Sequence, residues 1–464
     1  MKRLIFAIVA IQWLVGCSKD FSDLKPYNSL PANEAIKTES DLANAVNGMY
    51  ASMRNAGLFG RSIPFINDLM ADNVLLSTNN SSRYLLQNSY TVNVNDSYSA
   101  SFWQRGYFTI LAANNIINAE LPASTSIDQY RGEAYAMRAL VYWNLVMSFA
   151  THYSVNPSAP GVPITLEYDP TIRPARNSVQ EVYTLVIDDL KKAADLMSVT
   201  KNSSYATKWF AKALLAKVYL HMGDYPKAFT EAKDVIDNGG FTLAAAGALN
   251  SYWASPNPVS NKLETIFEIT NDAVNNTGWD ALASMYDQSG YGDGLVNPEL
   301  YDLYSDTDAR KGLIKPGTRG GVSVFVVNKY QNYTNASNKD EIKIMRYADV
   351  LLIAAEAAAR NNQDDVAKSY LNQLVTTRDP SSAGYSSTGD ALINDIVLER
   401  RKELAFEGDR LGDLNRLKLP IVRTGAGYAP GTELIAANDL RRMLPIPQAE
   451  VDANARIEQN DAYK

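Results

Sequence analysis

The sequence predicts a mostly α-helical domain interrupted by one long irregular insertion, and three observations carry that prediction. Apolar residues recur at i, i+3, i+4 and i+7 over Asp41 to Met53, Phe102 to Ala119 and Asp128 to Phe149, the spacing of one helix face. Alanine-rich segments at Ala206 to Asp237 and Lys343 to Thr377 each read as two helices joined by a short turn. Between them, residues 239–341 hold 11 of the 26 glycines, and helical periodicity largely fails there.

Each part can be justified in turn. Met1-Lys2-Arg3 is a short positive segment, followed by twelve residues, Leu4 to Val15, that are apolar except for Gln12. That run is too short to cross a hydrocarbon core, which needs about 20 residues, and fits a secretory signal. It ends at Leu14-Val15-Gly16-Cys17, which resembles the lipobox of bacterial lipoproteins. Cleavage after Gly16 would leave Cys17, the only cysteine of the chain, as the acyl acceptor. Loss of Lys2 and Arg3 would move the net charge from −7 to −9. The expected organisation is a signal peptide at 1–16, a lipidated tether at 17–40 and a single domain at 41–464. Acidic residues in Ser18-Lys19-Asp20-Phe21-Ser22-Asp23 resemble a surface-export signal, so a position on the outer face of an outer membrane is expected.

In the body, Ser178 with Glu181 three residues on is a capping pair that opens a helix to about Met197. The segment Ala206 to Asp237 breaks at Met222-Gly223-Asp224-Tyr225. Its small residues Ala211, Ala216, Ala228 and Ala232 resemble a tetratricopeptide repeat, in which small side chains let two helices approach. The second copy places Ala355, Ala358, Ala367 and Leu371 in corresponding positions around Asn361-Asn362-Gln363-Asp364. Repeat helices are thus expected over about 41–238 and 343–410. The insertion at about 239–341 carries Trp253, Trp279, Tyr286, Tyr291, Tyr301, Tyr304, Tyr330 and Tyr333, with β-like pieces at Thr265 to Thr270 and Val322 to Val327. A long aromatic, glycine-rich segment in a compact domain is usually functional. Ser77 to Ser101 is a smaller polar counterpart containing Tyr84, Tyr90 and Tyr98.

Composition excludes several classes of function. A net charge of −7 and a pI near 5.2 argue against a nucleic-acid surface. One cysteine and two histidines leave no disulfide framework and little room for a metal site, and no cofactor is expected. His152, after a helix end, and His221, at a repeat turn, read as surface or capping residues. The motifs H-E-x-x-H, G-x-S-x-G and G-x-x-x-x-G-K-[ST] are absent. Gly290 to Gly294 is a loop without dinucleotide spacing. A glycosidase carboxylate pair is not located by spacing. The run Glu399 to Arg410 alternates in sign, which favours ion pairing over catalysis.

Several segments together resemble the SusD/RagB family of outer-membrane nutrient-binding lipoproteins. They are Tyr130 to Leu145, Trp103 to Tyr107 with Ala113 to Ile117, Arg346 to Leu352 with Ala355-Glu356-Ala357, Glu399 to Arg410 with Asp413, Leu414 and Arg416, and Leu444-Pro445-Ile446-Pro447. Leu411-Gly412 stands where the family usually has aromatic residues. The resemblance implies a helical domain of four tetratricopeptide-like repeats, and a non-enzymatic lid on a SusC-like TonB-dependent transporter that captures oligosaccharide, or in some members peptide. The family blocks are structural, so ligand residues are argued physically. Sugar rings present C–H faces to aromatic rings and hydroxyls to short polar side chains. Trp103, Trp143 and Trp209, on periodic helices, are expected in the core. Trp253, Trp279, Tyr286, Tyr291 and Tyr84, in polar or glycine-rich loops, are the candidate ligand contacts, with Arg83, Asn79 and Asp280 as companions. A peptide-binding member and a tetratricopeptide scaffold for protein partners remain open alternatives.

Overall fold

The computed structural model describes residues 35–464 apart from 256, 337, 338 and 426. Cys17, the signal-like segment and residues 17–34 of the tether lie outside the described residues. In chain order the main helices are α1 (Glu39–Met53), α2 (Ser97–Ile117), α3 (Thr125–Phe149), α4 (Val179–Leu196), α5 (Lys208–Met222), α6 (Tyr225–Asn238), α7 (Tyr347–Arg360), α8 (Asp364–Arg378), α9 (Gly389–Glu403) and α10 (Arg410–Arg416). Their ends follow local chemistry. Thr38 with Asp41 and Ser178 with Glu181 form complete capping boxes at α1 and α4. Gly223, in the left-handed region, ends α5 before Asp224 caps α6.

The helices stack in sequence, α2 on α3, α3 on α4, α4 on α5 and α5 on α6. Helix α6 then packs on α7 across the long insertion, so the insertion leaves and rejoins the stack at one place. The alanines explain the close approach: Ala211, Ala216, Ala228, Ala232, Ala355, Ala358 and Ala367 are all fully buried. Trp103 and Trp143 are core residues as expected. Trp209 is only half-buried, with Lys208 4.5 Å above its ring, because it lies in the first turn of α5, at the edge of the stack.

Strands belong mainly to the insertion. β1 (Val74–Leu76), β3 (Gly294–Val296), β4 (Ile314–Arg319) and β5 (Val322–Val327) make one antiparallel sheet in the order β1-β3-β5-β4. β2 (Thr265–Ile269) pairs with β6 (Ile342–Arg346), which runs directly into α7.

A buried ion-pair network lies where insertion meets helices. Arg346 forms a bidentate pair with Glu407 (both contacts 2.7 Å) and reaches Glu403 at 2.8 Å and Glu264 at 3.1 Å. Arg378 bonds Glu264 at 2.6 Å and Glu403 at 2.9 Å, and Arg310 bonds Glu399 at 2.7 Å. Burial pushes the Glu403 carboxyl up, but Arg378 and Arg346 outweigh it and hold it well below the usual range. The alternating charges of 399–410 therefore pair mainly across elements, with Lys402–Glu399 at 2.7 Å a pair along the helix itself.

The histidines depart from expectation. His152 and His221 are buried and face each other, Nε2 to Nδ1 at 3.3 Å, with Trp143 edge-on to His221. The Ser154 N–H donates to His152 Nδ1, so Nε2 carries the proton donated to His221. Burial, with Arg416 next, depresses both, His152 to about 3, so the pair is neutral at physiological pH. Gly412 makes room for the His221 ring: a Cβ at that position would lie 3.2 Å from it, a tight contact.

Candidate functional site

The chemistry of the insertion gathers at a loop following β2. Asp272 accepts hydrogen bonds from the backbone N–H groups of Val274 (2.7 Å) and Asn275 (2.6 Å), and Asn276 accepts from the Gly278 N–H at 2.8 Å. This tight polar turn leads into the single 3-10 turn Gly278–Asp280. Asp280 is clamped by Arg61, and the Leu282 N–H donates to the Gly60 carbonyl at 2.8 Å. The indole of Trp279 is thereby held outward and is 58% exposed.

Two further rings join it. Tyr291 lies 5.4 Å from Trp279 between ring centroids and Tyr333 lies 6.0 Å away on a second contact, giving a run Tyr291–Trp279–Tyr333. Both tyrosines are half-buried. Tyr291 precedes β3, whose Gly294 pairs with Leu76 of β1, so the loops 77–84 and 287–293 are neighbours. Arg83 crosses from the first loop: its guanidinium lies 3.6 Å from the Tyr291 ring centroid and Nη2 donates to the phenol oxygen at 2.6 Å. The β4–β5 hairpin turns at Gly320 and Gly321, both at positive φ. It delivers Arg319, which donates to the Asn79 carbonyl at 3.0 Å and the Tyr291 carbonyl at 2.5 Å.

On the other side of the loop lies an open cleft of about 380 Å³. Its lining includes Arg54, Asn55, Arg105, Phe108, Asn275 and Asn276. Phe108 is 54% exposed and Val274, on the loop itself, 87%. Rings, amides and guanidinium groups therefore line a continuous stretch of surface around residues 272–280, the mixture that a polar ligand with apolar faces requires.

The structure brings Trp279, Tyr291, Arg83, Asn79 and Asp280 onto this one face. Three other sequence candidates require correction. Trp253 is 3% exposed and sits over the buried ion-pair network, with Lys329 at 4.5 Å and Lys343 and Arg346 both at 5.1 Å from its ring. Three cations hold it in the core. Tyr286 is fully buried, stacked on Tyr330 and packed against Phe65. Tyr84 is 1% exposed, covered by Tyr98 at 4.0 Å, and its hydroxyl meets Ser62. None of the three presents a face to a ligand. Sequence reasoning missed Tyr333 as a site residue, although its polar setting, Gln331-Asn332-Tyr333-Thr334-Asn335, was the signal used for the others. Arg61 and Arg319, which only position the site, carry no comparable signal.

Comparison with known proteins decides the family. Residues 20–220 match a profile described as "Starch-binding associating with outer membrane", and residues 313–463 match one described as "SusD family". The chain is 30% identical to SusD-like protein P2 of Formosa agariphila over 99% of both sequences. The chain belongs to the SusD family. A SusD-like protein of Bacteroides ovatus is 25% identical over 88% of this chain and 80% of that protein. Among solved structures, a SusD superfamily protein from Bacteroides thetaiotaomicron matches with a TM-score of 0.84 at 28% identity, covering 91% of this chain and all of that one. A putative sugar-binding protein from Bacteroides vulgatus matches at 0.84 and 27%, covering 93% and 100%. The two profiles leave residues 221–312, with Trp279 and Tyr291, unmatched, and it is the whole-length relative that covers them.

Proposed function

We propose that this SusD-family chain is a lipid-anchored protein of the outer cell surface that captures oligosaccharide and delivers it to a SusC-like TonB-dependent transporter. Cys17 is the anchoring residue, and the family profile that names outer-membrane association supports that location. The reading is of binding without catalysis: the ligand is taken up on the Tyr291–Trp279–Tyr333 face and passed on unchanged.

The observation that carries the proposal is the exposed indole of Trp279 between two half-buried tyrosine rings, bordered by Arg83, Asn79 and Asn276. A single exposed ring is ordinary, but an indole grouped with two further rings is an apolar patch of the kind that marks an interaction site. Sugar faces stack on such rings while their hydroxyls reach the amides and the Arg83 fork. The sugar-binding description of a structural relative agrees with this reading.

Affinity electrophoresis through gels containing polysaccharides tests it. Trp279→Ala is expected to abolish retardation while leaving the melting temperature unchanged. Undiminished retardation of Trp279→Ala would remove this face as the binding site. Purification of the full-length protein from detergent-solubilised outer membrane is expected to carry a TonB-dependent transporter in near-equal amount.

A further inference from the structure

We propose that the captured oligosaccharide is anionic, bearing carboxylate or sulfate groups. This inference rests on the reading of the Trp279 face as a glycan platform and names the class of glycan it takes.

The argument is an account of charge around the aromatic run. Arg83 at its Tyr291 end and Lys339 at its Tyr333 end flank the rings. Lys339 donates to the Tyr333 carbonyl at 2.8 Å and lies 5.9 Å from its ring. Arg54 donates to the Thr270 carbonyl at 3.1 Å, and Arg105 is exposed in the adjoining cleft. Among the described residues, none of these four cations has a carboxylate within ion-pair distance.

The neighbouring carboxylates are already occupied. Asp280 is held by Arg61, and Asp293 by Ser81 and Arg319. Asp272 accepts from its own loop, Asp340 from Asn332 and Gln331, and Glu341 from the Asn271 N–H. The local acids are therefore held by donors of the protein, and the four cations, Arg105 exposed and Arg54, Arg83 and Lys339 half-buried, have no carboxylate in direct contact among the described residues, although Arg54 acts at longer range on Asp272 and Glu341.

Elsewhere Arg310, Arg346, Arg378, Arg400 and Arg416 are buried against carboxylates, while the buried Arg423 and Arg442 bond backbone carbonyls instead. A guanidinium fork matches the planar oxygens of a carboxylate or a sulfate ester bidentately, and such charge-assisted bonds are about twice as strong as neutral ones. Arg83 is already held against Tyr291 by its ring contact and hydrogen bond, so less side-chain freedom is lost when it binds. A neutral sugar would engage the Arg83 fork through hydroxyl oxygens alone, the weaker of the two kinds of hydrogen bond. On a chain of net charge −7, a cationic rim is also what admits an anionic polymer that the rest of the surface repels.

The test is a glycan array carrying neutral, uronate-bearing and sulfated oligosaccharides, followed by titration of the retained compounds at rising salt. Retention concentrated on the charged compounds is expected, at least tenfold above neutral ones and weakening as salt rises. The arm that retains the protein distinguishes carboxylate from sulfate. Arg83→Gln is expected to lower affinity for the charged ligand about tenfold with unchanged melting temperature, and Arg83→Lys to recover part of it. Retention of neutral glycans with affinity unaffected by Arg83→Gln or by salt overturns the inference. In that case continued loss of retention in Trp279→Ala would leave the platform reading standing. Retention of no glycan in any arm overturns both.

Discussion

Two regions of the insertion use the same residue types to opposite ends. Around Trp253, an indole and three cations are buried, and Arg346, Arg378, Glu264, Glu403 and Glu407 satisfy one another. Around Trp279, the indole is exposed, four exposed or half-buried cations have no carboxylate in direct contact among the described residues, and the nearby acids are bonded within the protein. A cation with a carboxylate partner in the interior is a structural element, costly to break. A cation left without one beside an exposed ring is available to a ligand. The difference lies not in the amino acids but in what the fold has placed opposite them.

Breaking the first region gives the largest expected effect. Arg346→Ala leaves Glu264 and Glu403 with Arg378, and Glu407 with Lys329, one buried cation short of balance, and is expected to lower the unfolding free energy by about 3–5 kcal/mol, read by chemical denaturation. The same network sets an acid limit. Glu403 and Glu407 are held below their ordinary values in the folded state, Glu403 by Arg378 and Arg346 and Glu407 by Arg346 and Lys329, each against burial. Their stabilisation is present above the unfolded carboxylate value of about 4.3 and lost as pH falls through the folded ones.

A paired substitution sharpens the comparison. Trp253→Ala is expected to cost about 3–5 kcal/mol of stability. Trp279→Ala is expected to leave stability intact and to cost about 2 kcal/mol or more of ligand binding. If both variants lost stability together, the distinction between the two regions would fail.

Glu341 offers a smaller effect of opposite sign. Burial, and then the Glu268 carboxylate, push it up to about 9. The folded state therefore holds a proton that the unfolded chain has released, and stability declines as pH rises from about 4.3 to that value. The melting temperature of Glu341→Gln is expected to fall less than that of the wild type between pH 6 and pH 9, as estimated from this linkage. Tyr291→Phe is the mildest change: it removes the phenol that accepts from Arg83 Nη2 and is expected to weaken binding by about 1 kcal/mol.

Much of the helical frame was legible in the sequence because its signals are local. Ser178 with Glu181 gave the start of α4, Gly223 the end of α5, and the alanines of both hairpins are buried where small residues were expected. The boundary of the Ser77 to Ser101 segment was less legible: α2 begins at Ser97, capped by Asp96. The site was half legible. Trp279 and Trp253 both sit among small and short polar residues, and their sequence settings do not separate them. What separates them is distant, since Lys329, Lys343 and Arg346 close over Trp253 from 76, 90 and 93 positions further along the chain. Tyr84 looked loop-like, yet Tyr98, fourteen residues on, covers it. The two histidines looked superficial because nothing local announces that Gly412 makes room for them.

The measurement that tests the central claim most directly is hydroxyl-radical footprinting by mass spectrometry, with and without a retained oligosaccharide. Protection of Trp279 and Tyr333 on binding, with Trp209 and Tyr168 labelled as before, is the result this account predicts. Protection confined to the helical stack, with Trp279 still oxidised at its unbound rate, would contradict it.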